Sequence, residues 1–171
     1  IKEILTASKL DDEKRLGEIL DEMRSRSRMR LEGASHSAAV ARACSYFSPV
    51  RAFDDMTGGI EYFHFLEKTA AAYSKDENFR KELARKLKET AGKLFAADNL
   101  MVSYTADEEG YKALPEELKK FKAALSSGPS KRYTFEFTPE LKNEGFKTSS
   151  KVNYVARCGS FDAEAYTGAL E

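Results

Sequence analysis

The sequence predicts an α+β fold: several helices packed on a small, incomplete, mainly antiparallel sheet. A change of period along the chain carries that expectation. Up to Leu94 apolar residues recur three and four positions apart, the spacing of one helix face. From Leu100 onward the spacing falls to two in three short stretches, the period of a strand. A chain of 171 residues is long enough to bury roughly 70% of the surface that its unfolded form exposes, so a core forms without staples.

Leu16, Ile19, Leu20 and Met23 sit on one helix face, with Asp11, Asp12 and Glu13 where negative charge favours a helix start. The first helix is expected from Asp12 to Glu32, stopped by Gly33. Residues 36 to 47 are small or apolar almost all round, which suits a helix buried on most sides and ended by Pro49. A third helix is expected after Thr57, carrying Ile60, Tyr62, Phe63, Phe65 and Leu66. Ser74 and Glu77 stand at capping-box spacing before a stripe of Phe79, Leu83, Leu87 and Leu94, the fourth helix.

Leu100, Val102 and Tyr104 then alternate with Met101, Ser103 and Thr105, and Tyr133, Phe135 and Phe137 with Arg132, Thr134 and Glu136; Lys151 to Arg157 read as a third strand. Asp107 to Leu125 is helical in character, with Pro115 in the first turn of its second segment. Ser126 to Pro129 form a turn, and Thr138 to Ser150 have loop composition and hold the domain boundary.

Twenty-eight basic residues balance twenty-eight acidic ones, so no general field draws nucleic acid or an anionic membrane. No run approaches the ~20 apolar residues that span a bilayer. Cys44 and Cys158, without a CxxC pair, are expected as ordinary buried thiols in a reducing compartment. Ile1 at the start, and Glu171 at the end of the helix-compatible FDAEAYTGALE, suggest an excised fragment.

The residues that carry chemistry are sparse. His36 and His64, the two histidines, lie 28 positions apart with no HExxH or HxxEH around them, so catalytic zinc is not expected in this chain. No GxSxG turn singles out a nucleophile. Gly58 and Gly59 precede the third helix, where backbone N–H groups receive a carboxylate or phosphate, or else serve a tight entry turn and close packing. Arg24, Arg26, Arg28 and Arg30 are either a phosphate- or acidic-peptide-contacting cluster or a solvated helix end, and the neutral balance favours the latter.

Residues 36 to 67, HSAAVARACSYFSPVRAFDDMTGGIEYFHFLE, resemble the insulinase and pitrilysin superfamily of zinc metallopeptidases, in its presequence-protease-like branch with an associated helical region. Gly58, Gly59, Ile60, Tyr62, Phe65 and Leu66 carry the likeness, which continues through LFAADNLMVSYTADEEG and NEGFKTSSKVNYVARCG. The resemblance implies four related α+β modules in two halves, hinged around a closed peptide chamber. It implies hydrolysis by a zinc-bound water, with zinc held by an inverted HxxEH motif that is absent here. Residues 1–138 then correspond to the end of the associated helical region plus the later part of the third peptidase-like module, 139–150 to a linker, and 151–171 to the start of the fourth module. The fourth module's active-site arginine and tyrosine are expected downstream of Glu171.

On this reading the segment is a partial metallopeptidase module with no catalytic, cofactor-binding or metal-binding residue of its own. It is an inactive chamber portion of a longer zinc metalloendopeptidase that degrades peptides. Its implied partners are the N-terminal catalytic half and, in the parent, a peptide substrate, with neither nucleic acid nor membrane. Uncovered apolar faces lead to an expectation of self-association. The implied location is cytoplasmic for a bacterial parent and an organelle matrix for a eukaryotic one. An independent helical interaction module is the alternative.

Overall fold

The computed structural model describes residues 2–127, 133–138, 140–149 and 151–160, and every regular element among them is a helix. In chain order these are α1 (Lys2–Ala7), α2 (Glu13–Gly33), α3 (Ser35–Ser45), α4 (Pro49–Gly58), α5 (Ile60–Lys75), α6 (Glu77–Leu94), a single 3₁₀ turn (Ala97–Asn99) and α7 (Glu108–Ala123). The chain divides into two compact units, Ile1–Leu16 with Lys75–Thr134, and Gly17–Ser74 with Phe135–Glu171.

The expected α+β fold on a sheet is not formed: no strand occurs among the described residues, where one isolated parallel bridge pairs Ala96 with Ser126. Leu100–Thr105 and the described parts of the other two stretches, 133–137 and 151–157, join no ladder. Alternation specifies which side chains share a face but not which backbone will receive the hydrogen bonds, and a strand needs that second backbone. Met101 and Val155 accordingly stand 93% and 97% exposed. Gly128, Pro129 and Arg132 of the expected turn and strand, Pro139 and Ser150 of the expected linker, and 161–171 of the expected fourth-module start lie outside the described residues.

In the first unit α6 is anchored by its cap. Asp76, rather than Ser74, accepts from the backbone N–H groups of Asn78 and Phe79 at 2.8 and 3.2 Å, while the Ser74 hydroxyl turns back to the Ala71 carbonyl. Arg80 pairs with Glu13 at 2.9 Å and Lys88 with Asp11 at 2.6 Å. Ala84 and Ala96 are buried, and the Ser126 hydroxyl donates to the Gly92 carbonyl at 2.6 Å. Asp107 caps α7, which runs through Pro115 as one helix rather than two.

The second unit is built on α5. Ile60, Leu66, Thr69, Ala70 and Tyr73 are its buried residues, and from Leu66 onward they keep to the three- and four-residue spacing of one helix face. Gly17 of α2 lies under Tyr73: a Cβ there would meet the ring at 3.4 Å. Helix α3 packs against α4. Pro49, expected as a terminator, is instead the first residue of α4, where its missing N–H costs nothing, and the Ser48 hydroxyl accepts from Arg51 N–H. Nor is α3 buried on most sides: Ser45 is its one buried residue and Val40 is 52% exposed.

Candidate functional site

The densest polar cluster of the second unit is centred on Arg42, the one cation on α3. Its side chain is 13% exposed, so the guanidinium has lost most of its water and requires partners. Nη1 donates to Asp55 Oδ2 of α4 at 2.5 Å and lies 3.5 Å from Glu61 Oε2 of α5. The fork of Nε and Nη2 donates to both oxygens of Glu144, at 2.8 and 3.0 Å, the two-pronged geometry that makes Arg–carboxylate pairs strong. Tyr46 closes the ring: its hydroxyl accepts from Arg42 Nε at 3.1 Å and donates to Glu144, and the guanidinium sits 5.3 Å from the Tyr46 ring centroid.

These contacts set the protonation states. Arg42, and after it Tyr46, hold the Glu144 carboxyl down to about 2. Burial, then the bond to Glu144, pushes the Tyr46 hydroxyl up to about 12. Arg42 itself is raised, chiefly by Glu144. A general acid or base works best when it titrates near the operating pH, and these three groups titrate far from neutrality. The arrangement is a clamp that fixes Glu144, 102 positions away in sequence, onto the α3–α4–α5 helices.

Asp55 has a second task. Its Oδ1 accepts the Ile60 N–H at 2.9 Å, so the carboxylate received at the start of α5 is the chain's own. Gly59 joins α4 to α5: its N–H donates to the Asp55 carbonyl and its carbonyl accepts from Phe63. A Cβ at Gly59 would stand 2.8 Å from Asp55 Cα, so close packing is what this glycine provides. Gly59→Ala is expected to cost about 2 kcal/mol through overpacking, read from the urea midpoint, while Gly58→Ala, whose nearest neighbour is the flexible Arg30 end at 3.7 Å, costs far less. An open cleft of about 230 Å³ borders this junction, lined by Ala41, Arg51, Asp54, Asp55, Gly58 and Gly59.

The extended residues after Thr134 make further contacts along the same helices. Phe135 meets Phe53 edge-on at 5.7 Å, Phe146 lies 6.2 Å from His64, and Tyr154 lies 5.7 Å from His36. His64 also stands 3.7 Å from Glu67. Both histidines therefore serve aromatic contacts. Among the described residues no group of three His, Cys, Asp or Glu side chains converges as a metal site would require, and the clustered carboxylates Asp55, Glu61 and Glu144 face Arg42.

The arginine run on α2 is engaged along its length. Arg24 pairs with Asp21 at 3.0 Å, Arg26 with Glu22 at 2.5 Å, Arg28 with Glu67 at 3.1 Å and over the Phe63 ring, and Arg30 donates to the Gly58 carbonyl at the end of α4. No helix of the described residues is long and apolar enough to cross a membrane. Sequence reasoning passed over Arg42, Tyr46, Asp55 and Glu144. One signal was present: a lone arginine within a run of small apolar residues must find an anion if that helix packs at all.

Comparison with known proteins gives the geometry a context. Residues 1–68 match the family described as the associated region of the M16 peptidases, subfamily C. The chain is 27% identical over 172 aligned residues to "Protein HypA" of Clostridium perfringens (strain 13 / Type A), covering 99% of this chain and 17% of that protein. It is 25% identical over 164 residues to "Presequence protease 1, chloroplastic/mitochondrial" of Arabidopsis thaliana, covering 95% of this chain and 15% of that one. No solved structure matches. The chain thus spans about one sixth of the length of the curated relatives it matches, and its first 68 residues are similar to an insulinase-like, M16-family peptidase-associated region.

Proposed function

We propose that this chain is a non-catalytic wall and hinge portion of a zinc-dependent metalloendopeptidase of the presequence-protease-like branch, in which residues outside this segment bind the metal and cleave peptides. The observation that carries the reading is the alignment itself. A protein named as a protease aligns with nearly the whole of this chain yet is several times longer, which leaves ample room for catalytic machinery elsewhere.

The Arg42 clamp supports the same reading, since its groups are set for holding rather than for proton transfer. Exposed Met101, Leu141 and Val155 are apolar surface of the kind that a neighbouring module covers. The segment boundaries 1–138, 139–150 and 151–171 then describe the helical region with part of the third module, a linker, and the opening of the fourth. The parent is cytoplasmic if bacterial and sits in an organelle matrix if eukaryotic. The same exposed side chains favour one second reading, an independent helical interaction module that docks another protein or a second copy of itself.

The test has two arms. Zinc content and cleavage of a quenched fluorescent peptide are measured for this chain alone, then after addition of the separately produced N-terminal half of the parent. The proposal expects neither zinc nor cleavage alone, and cleavage on mixing beyond that of the N-terminal half by itself. Stoichiometric zinc or turnover in the isolated chain overturns it. Folded halves that bind each other with no gain in cleavage favour the interaction-module reading instead.

A further inference from the structure

The chain's two cysteines, separated by 114 positions, come together in the second unit. Cys44 lies on α3 and Cys158 in the extended segment, and their sulfurs are 2.9 Å apart. Both are free thiols and half-buried, and Cys158 Sγ also faces the Val40 carbonyl at 4.0 Å. A disulfide bond is about 2.0 Å long, so bonding requires the sulfurs to close by about 0.9 Å. The His36–Tyr154 ring contact, two helical turns before Cys44 and four residues before Cys158, holds the same two segments side by side.

We propose that Cys44 and Cys158 form a reversible dithiol–disulfide pair that reacts with a small disulfide of the glutathione class and, when oxidised, fastens residues 151–160 to α3. The inference rests on this geometry alone and stands whether or not the peptidase reading does. In the first step either cysteine, as thiolate, attacks one sulfur of the oxidant, forming a mixed disulfide and releasing one small thiol. The second cysteine, deprotonated, then attacks the protein sulfur of the mixed disulfide and releases the second small thiol. The protein loses two hydrogens and two electrons, and the oxidant gains both.

The hydrogen bond to Cys44, then burial, pushes the Cys158 thiol up. Less thiolate is present at neutral pH, so its attack quickens as pH rises. Reduced, the extended segment is held to α3 by side-chain contacts alone. Oxidised, it is tethered covalently.

The test equilibrates the purified chain with graded ratios of reduced and oxidised glutathione, quenches with acid, alkylates and determines mass. The proposal expects a monomeric species lighter by two hydrogens, with the Cys44 and Cys158 peptides joined in a non-reducing digest. This species should exceed the glutathionylated forms at least about tenfold, because the neighbouring thiol acts at a high effective concentration. Cys44→Ser and Cys158→Ser each stop at a single glutathione adduct. On oxidation of the wild type, amides of residues 151–160 gain at least about tenfold protection from hydrogen exchange. Stable double glutathionylation, disulfides between chains, or unchanged exchange at 151–160 in the oxidised protein overturns the proposal. If a serine variant loses its helical circular dichroism, the wild-type digest and exchange decide alone.

Discussion

Arg42→Ala destabilises the second unit by about 4 kcal/mol, the scale on which a buried ion pair fails when one partner is removed and the other charge stays behind. Asp55 is the charge left behind: its side chain is 5% exposed and cannot turn to water without releasing the Ile60 N–H that it caps. Glu144, 27% exposed, loses both prongs of its fork and frees the extended segment. Arg42→Lys keeps the charge without the fork and falls between wild type and alanine. The measurement is hydrogen exchange of α3 and α5 amides across a urea series under reducing conditions. A loss below about 1 kcal/mol would place Arg42 among exposed pairs and remove the clamp as an explanation.

The same clamp predicts the response to acid. Glu144 sits below its ordinary 4.5, at about 2, so its contribution is fully present above pH 4.5 and is lost as pH falls through about 2. Because the carboxylate keeps some contact with solvent, the contribution discounts to about 1 kcal/mol. Glu144→Gln should remove that part of the acid sensitivity, leaving a flatter stability profile between those two values.

Leu66→Ala is the second large effect, expected at about 3 kcal/mol from lost burial plus the cavity left behind. Leu66 is 1% exposed, the most completely buried large side chain among the described residues, whereas its neighbour Phe65 is 58% exposed. One step along a helix turns the side chain by about 100°, enough to separate core from surface. Phe65→Ala should therefore cost less than about 0.5 kcal/mol despite removing the larger group. Equal losses at the two positions would mean that α5 buries a different face.

How much of this was legible in the residues depended on the range of the interaction concerned. The expected helix from Asp12 to Glu32 is α2, shifted by one residue at each end, because apolar spacing, acidic start and glycine stop all act within a few turns. Helices α5 and α6 were legible for the same reason. Pro49 was misread because proline forbids continuation of one helix and favours the start of another, and only the cap from Ser48 decides between them. The sheet failed as an expectation because Leu100, Val102 and Tyr104 set a face without naming a partner backbone. The clamp was out of reach in the same way: nothing local to Arg42 points to a glutamate 102 positions later, and the two cysteines gave no CxxC spacing to draw them together.

The second unit is discontinuous: helices from Gly17–Ser74 are completed by residues from Phe135 onward, after about 60 residues assigned to the first unit. On the ribosome, at roughly 5 to 20 residues per second, α3, α4 and α5 emerge and then wait roughly 3 to 12 s before Glu144 is even synthesised. During that interval Arg42 and Asp55 can pair but the fork of the guanidinium faces water, and Cys44 has no neighbour. Closing so long a loop raises contact order and slows the last folding step relative to the helices. Vectorial synthesis therefore makes the clamp the final event in this unit, and a chain stopped before Glu144 leaves α3 the most vulnerable helix to proteolysis.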